Sequence, residues 1–207
     1  LTLGGHVAGT VAVGGDLSGS LEVTGGADEV TIDGRLQGPL DVDGDLGRLA
    51  VGGDVDGAVT VGGGLAELAA GGSLAGPLAV SGDLGSAAVE GDLAADVSVG
   101  GRLELLVVGG DATGGVDVTG DAGAIDVTGT MSAPVSVGGD LGRASAGDVA
   151  ATVTADRVVG ELRIDDGAAL VERSYDHATR VVYDGVSGEL SATTVGTGGD
   201  VIEGHDD

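Results

Sequence analysis

The chain has 207 residues, with 34 Asp and Glu against 8 Arg and no Lys, a formal net charge of −26; this balance works against nucleic-acid phosphate and anionic membrane as partners. There is no Cys, which excludes a disulfide framework, and no apolar run has the length of a membrane span. With 45 Gly, two Tyr and neither Phe nor Trp, the chain lacks the aromatics that fill an irregular globular core and has instead the Val, Leu and Ala that suit stacked, identical layers.

The first ten residues, LTLGGHVAGT, read as one half-unit of a repeat that continues from Val11. The apolar residues that open successive halves are Val11, Leu21, Val30, Leu40, Leu49, Val59, Leu68, Leu78, Ala87, Val97, Leu106, Val116, Ile125, Val135 and Ala144, in steps alternating ten and nine. Residues 11–143 are therefore seven regular 19-residue coils, each of 10+9 residues. Because the chain opens at Leu1, inside the repeat and without Met, it is expected to be a piece cut from something longer.

Within each half, positions one, three and seven are apolar, as in Leu49, Val51 and Val55, while positions two, four and six are polar or small. That is the period of two of a β-strand, and the abundance of Val supports it. Short strands closed by Gly-rich turns at a fixed interval predict an all-β fold, a right-handed parallel β-solenoid spanning residues 1–162 with irregular coils at both ends. Pro39, Pro77 and Pro134, the only prolines, all take the last place of a ten-residue half. A residue without an N–H belongs at such a turn. One coil buries too little apolar surface to offset the ordering of its own backbone, so the pattern must repeat to fold.

After Ala144 the halves shorten to nine residues, ASAGDVAAT and VTADRVVGE, and beyond Leu162 the register fades. Residues 163–198 are expected to form a β-rich cap, with a hairpin or meander in RVVYDGVSGELSATTV from Arg180 to Val195. Residues 199–207 are expected to be a flexible tail or linker.

Position six of each half makes a ladder of corner residues. One reads Asp16, Arg35, Asp54, Ser73, Asp92, Asp111, Thr130 and the other Gly26, Asp45, Gly64, Asp83, Arg102, Asp121, Asp140. Like charges about 4.8 Å apart repel, and both ladders mostly avoid adjacent carboxylates, with each Arg between two Asp. The pairs Asp92/Asp111 and Asp121/Asp140 are the exceptions and the candidates for a shared cation such as calcium. Otherwise no metal site or cofactor is expected: Asp41, Asp43 and Asp45 imitate the start of an EF-hand loop, but Leu46 stands where Gly is needed and Gly52 where the bidentate Glu belongs.

The outward positions of the ten-residue halves carry Ala12, Ala50, Ala69, Ala88 and Val107, a bare strip suited to self-association. Catalysis is not expected. Turns of two to four residues build no groove, and His6, His177 and His205 are scattered.

The runs TVAVGGDLSGSLEVTGG (10–26) and SVGGDLGRASAGDV (136–149) resemble the glycine-rich β-helix repeats of bacterial surface proteins of the filamentous-haemagglutinin adhesin type. VTIDGRLQGPLDVDGDLG (30–47) is similar to bactofilins, the polymer-forming β-helix family, and SYDHATRVVYDGVSGEL (174–190) resembles YD-repeat surface proteins. The first two resemblances imply a non-enzymatic, extracellular or cell-surface solenoid that forms a fibre, filament or stalk by end-to-end or lateral self-association. The alternative is a spacer or adhesin segment of a larger surface protein, dependent on a cation.

Overall fold

The computed structural model describes the backbone of residues 1–164, 170–171, 180–183 and 201–203, and side chains as far as residue 156. The chain is an all-β parallel β-solenoid of about eight turns with coils of about 19 residues. Every strand pairing in it is parallel.

The coil from Leu40 to Ala58 shows how the residues build it. Two strands, Leu40–Val42 and Leu46–Val51, are followed by a single bridging residue, Val55. Positions one, three and seven of both halves, Leu40, Val42, Leu46, Leu49, Val51 and Val55, face inward and are at most 3 % exposed. Each side chain sits on its counterpart 19 residues away, giving columns such as Leu46–Leu65–Leu84–Leu103. Among the described residues no polar or charged side chain is buried, so the core is held by aliphatic contact alone.

The two halves turn differently. Between Leu46 and Leu49 only Gly47 and Arg48 face outward, and the backbone stays extended through them as one six-residue strand. After Val55 three residues, Asp56, Gly57 and Ala58, precede the next inward position, and a bend forms at Gly57. There the N–H groups of Asp56 and Gly57 both donate to Leu36 O, at 2.7 and 2.9 Å. The tenth residue of the longer half is thus taken up by a doubly used carbonyl. Pro39, Pro77 and Pro134 follow such bends, and only their carbonyls join the ladder, accepting from Leu21, Val59 and Val116.

The ends depart from the 19-residue step. In the first half Val7 pairs 20 residues on with Ala27 and Thr10 pairs 19 on with Glu29, so one extra residue is inserted; Gly9, at φ 106°, carries it. Left-handed backbone of this kind is open to glycine at little cost. After Val127 the step falls to 18, with Met131 beside Val149 and Val135 beside Val153, because the turn Gly147–Asp148 has one residue fewer. This agrees with the expected nine-residue halves. The expected hairpin over 180–195 lies mostly outside the described residues; its first strand, Arg180–Tyr183, pairs parallel with Glu161–Ile164. The rest of the expected cap lies outside them too, except for the short strand Leu170–Val171. Of the expected tail, only Val201–Glu203 is described, as a strand parallel to Val181–Tyr183.

Candidate functional site

The corner ladders are hydrogen-bonded, coil to coil. The Oδ1 of Asp16 accepts the N–H of Arg35 at 2.9 Å, Asp45 that of Gly64 at 2.8 Å, Asp54 that of Ser73 at 2.9 Å and Asp83 that of Arg102 at 2.8 Å. Ser73 repeats this with its hydroxyl, which accepts from the N–H of Asp92 at 3.0 Å. The carboxylates of Asp16, Asp45, Asp54 and Asp83 and the Ser73 hydroxyl therefore cap the same corner of the following coil. The carboxylate lies across the glycine at position five of that coil: a Cβ on Gly63, Gly72 or Gly101 would stand 2.1–2.2 Å from the carboxylate oxygen. All fifteen position-five residues from Gly5 to Gly139 are glycine. None beyond Gly5 has a left-handed φ, and from Gly25 to Gly139 a Cβ would stand 2.0–3.0 Å from an atom of the coil before, so over that range closeness of the previous coil, not backbone conformation, is the physical reason.

The cation candidates fall in this system. Asp92 Oδ1 accepts from Asp111 N at 2.9 Å, Asp111 Oδ1 from Thr130 N at 2.8 Å and Asp121 Oδ1 from Asp140 N at 2.9 Å. One oxygen of Asp92, Asp111 and Asp121 is thus committed to backbone. Among the described residues no three His, Cys, Asp or Glu side chains converge as a metal-binding group.

Arg35 adds charge pairing to one ladder, with its guanidinium 2.7 Å from Asp54 and 3.2 Å from Asp56. The Ser73 N–H, and then the Arg35 charge, hold the Asp54 carboxyl below the usual carboxylate value. A depressed folded value stabilises the fold above the unfolded value of about 3.9, and that contribution disappears as pH falls through the folded value. Asp54→Asn keeps an acceptor for Ser73 and removes the charge. The stability difference between wild type and Asp54→Asn is expected to be constant above about pH 5 and to narrow below about pH 4. Denaturant titrations at stepped pH measure it; a difference that stays constant to the lowest pH would remove ionisation as the cause.

A second charged row lies at position nine of the shorter halves. Arg48 sits between Glu29 and Glu67, 3.3 Å from each, and Thr10 donates to Glu29 at 2.7 Å. Outside this row, Asp126 at position two of its half accepts from Arg143 and Ser145. The sequence carries a signal for this row, opposite charges at 19-residue spacing in Glu29, Arg48 and Glu67. Exposed pairs of this kind contribute little stability each; their effect is to fix register.

The small-residue strip forms a continuous surface over part of the rod. Ala50, Ala69, Ala88 and Val107 are consecutive neighbours across the sheet, whereas Thr31 separates Ala12 from Ala50. Ala50, Ala69 and Ala88, with Gly52 and Gly71, floor an open groove of about 570 Å³ that has Asp33 and Glu90 in its lining. Val107 lies next to it, 36 % exposed.

In the first coil Leu1 is 70 % exposed, and Leu3, Val7, Val11, Val13 and Leu17 are partly buried against the core. Their counterparts one coil on, Leu21, Val23, Ala27, Val30, Ile32 and Leu36, are at most 2 % exposed. No helix among the described residues is long and apolar enough to cross a membrane.

No family model, curated protein or solved structure gives a match to this chain.

Proposed function

We propose that this protein is a structural, non-enzymatic element that self-associates into an extracellular or cell-surface fibre, filament or stalk. The observation that carries this reading is the uncovered sheet face of small side chains at Ala50, Ala69 and Ala88, which floors an open groove along neighbouring coils. The resemblance of residues 10–26 and 136–149 to haemagglutinin-type repeats, and of residues 30–47 to bactofilins, agrees with a polymer or stalk. A lateral route, including that of a spacer or adhesin segment within a larger surface protein, is favoured by the groove over Ala50, Ala69 and Ala88.

Electron microscopy of the purified full chain at low and high salt, with and without millimolar calcium, tests the reading. Because a net charge of −26 repels a second copy, assembly is expected to increase with ionic strength. End-to-end filaments are expected to have an axial repeat that is a whole number of coils, each about 4.8 Å. Assembly that needs calcium would mark the Asp92/Asp111 and Asp121/Asp140 pairs as the place to mutate. A monodisperse, protease-resistant monomer at every salt concentration would overturn the self-associating reading.

A further inference from the structure

Of the arginines whose side chains are described, Arg102 alone has no ion pair. Arg35, Arg48 and Arg143 each pair with a carboxylate one coil away or nearly so. The Arg102 guanidinium meets no carboxylate among the described residues, although its backbone N–H is bonded to Asp83. Glu90 is its counterpart in charge, an exposed carboxylate with neither an ion pair nor a side-chain hydrogen bond among the described residues. On a chain of net charge −26, an unpaired cation is readily matched by a carboxylate on another molecule.

The two groups flank one sheet face. Strands Leu84–Val89 and Leu103–Val108 lie side by side. Arg102 precedes the second strand at one edge of the face, and Glu90 follows the first strand at the opposite edge, one coil back. Between the edges the outward residues include Ser86, Ala88, Leu105 and Val107, with Leu105 half-buried and Val107 36 % exposed. The middle of the face is position nine of the shorter halves. That row is charged at Glu29, Arg48 and Glu67 and again at Arg143, but the three coils between carry Ser86, Leu105 and Ala124. Charge is absent from the centre of the face over the same coils whose edges hold the unpaired groups.

We infer that this face docks a second copy of the chain, side by side, about a two-fold axis that runs along the rods between them. Such an axis exchanges the two edges. The Arg102 edge of each copy therefore lies against the Glu90 edge of the other, and the ion pair forms twice. Aligned sheets cross at about 30°. Over half the width of this face, such a crossing shifts one edge against the other by about one coil of 4.8 Å, which sets Glu90 level with Arg102. Leu105 and Val107 then meet the small residues Gly85, Ser86 and Ala88 of the other copy, an apolar centre inside a charged rim. The contact is isologous and closes at two copies, so it produces a paired rod. The inference rests on the self-associating reading above and adds the face, the symmetry and the charges that set the register.

The test is reciprocal charge reversal in the full chain, read by sedimentation equilibrium at one fixed ionic strength. Arg102→Glu and Glu90→Arg are each expected to weaken the dimer about tenfold or more, and the double variant is expected to restore it. Glu90→Arg lowers the net charge, so general repulsion alone predicts that it strengthens association, the opposite result. Melting temperatures check the fold. If Arg102→Glu is destabilised by the neighbouring Asp83, Glu90→Arg decides alone, because its exposed side chain has no partner within the chain to lose. Association that ignores both reversals, or that Glu90→Arg strengthens, would overturn this face and leave the self-associating reading standing. A wild type that stays monomeric at every concentration would overturn both, and would leave the face to an occupant other than a second copy.

Discussion

Replacing Leu65 by alanine is expected to lower the stability of the solenoid by about 2–5 kcal/mol. Leu65 is fully buried and lies in the column between Leu46 and Leu84. The walls of the resulting cavity are strands held above and below by parallel pairing, so they can close only partly over it; the loss therefore combines the transfer term with a cavity term. Urea unfolding followed by circular dichroism measures it, with Leu1→Ala, at a 70 % exposed position, as a control expected within about 0.5 kcal/mol of wild type. Because coils contact only their neighbours, a weak coil in the middle of the rod is also expected to broaden the transition and lower the apparent m-value. A change smaller than about 1 kcal/mol would mean that the column is not packed as described.

Gly110→Val is expected to cost about 2–4 kcal/mol, even though the position lies at a surface bend. The Cβ would stand 2.0 Å from Asp92 Oδ1 and 3.0 Å from the Gly91 carbonyl carbon. Asp92 must then leave the Asp111 N–H, and the two coils must separate at that corner. Overpacking contributes about 1–3 kcal/mol, and the lost charge-assisted bond contributes the remainder, reduced by its exposure to water. At Gly15 a Cβ meets nothing within 4 Å, and the same substitution there is expected to leave the stability of this chain unchanged. Chemical denaturation of the two variants side by side measures the difference. Equal stability of both would show that contact between coils is not what keeps position five glycine.

Position nine of the ten-residue halves shows a graded version of the same constraint. Most of its residues are glycine, but Ala95 occupies one place, and its N–H reaches Leu74 O at 3.2 Å where Gly57 and Gly76 reach their acceptors at 2.9 and 2.8 Å. A methyl group fits there by loosening one hydrogen bond. At position five the nearest neighbour is a carboxylate oxygen, as at Gly63 and Gly110, or the backbone of the coil before, as at Gly44 and Gly82. This is why alanine recurs at position nine, as Ala95 and Ala133, and never enters position five between Gly5 and Gly139.

Much of the fold was legible before any coordinates. The alternation of nine and ten marked Leu40, Val42, Leu46, Leu49, Val51 and Val55 as one inward set, and those residues are the core of their coil. The prolines marked the turns for a local reason, the missing N–H. The corner aspartates were visible as a ladder, but only as charges to be spaced. Their role as caps on the next coil, and the Glu29–Arg48–Glu67 row, were not read.

What the sequence alone determined is whatever depends on a residue and its immediate neighbours: inward or outward direction, turn or strand, and the length of the period. Those follow from side-chain hydrophobicity and backbone preference, which act within a few residues. What only the tertiary structure decided lies between residues about one coil apart, namely the close approach of the coil before to the position-five glycines from Gly25 on and the charged row at Glu29, Arg48 and Glu67. Contacts such as Asp45 across Gly63, Asp92 across Gly110 and Arg48 between Glu29 and Glu67 depend on the register and rise of stacked coils to within a few tenths of an ångström, because hydrogen bonds and steric overlap change steeply over that distance.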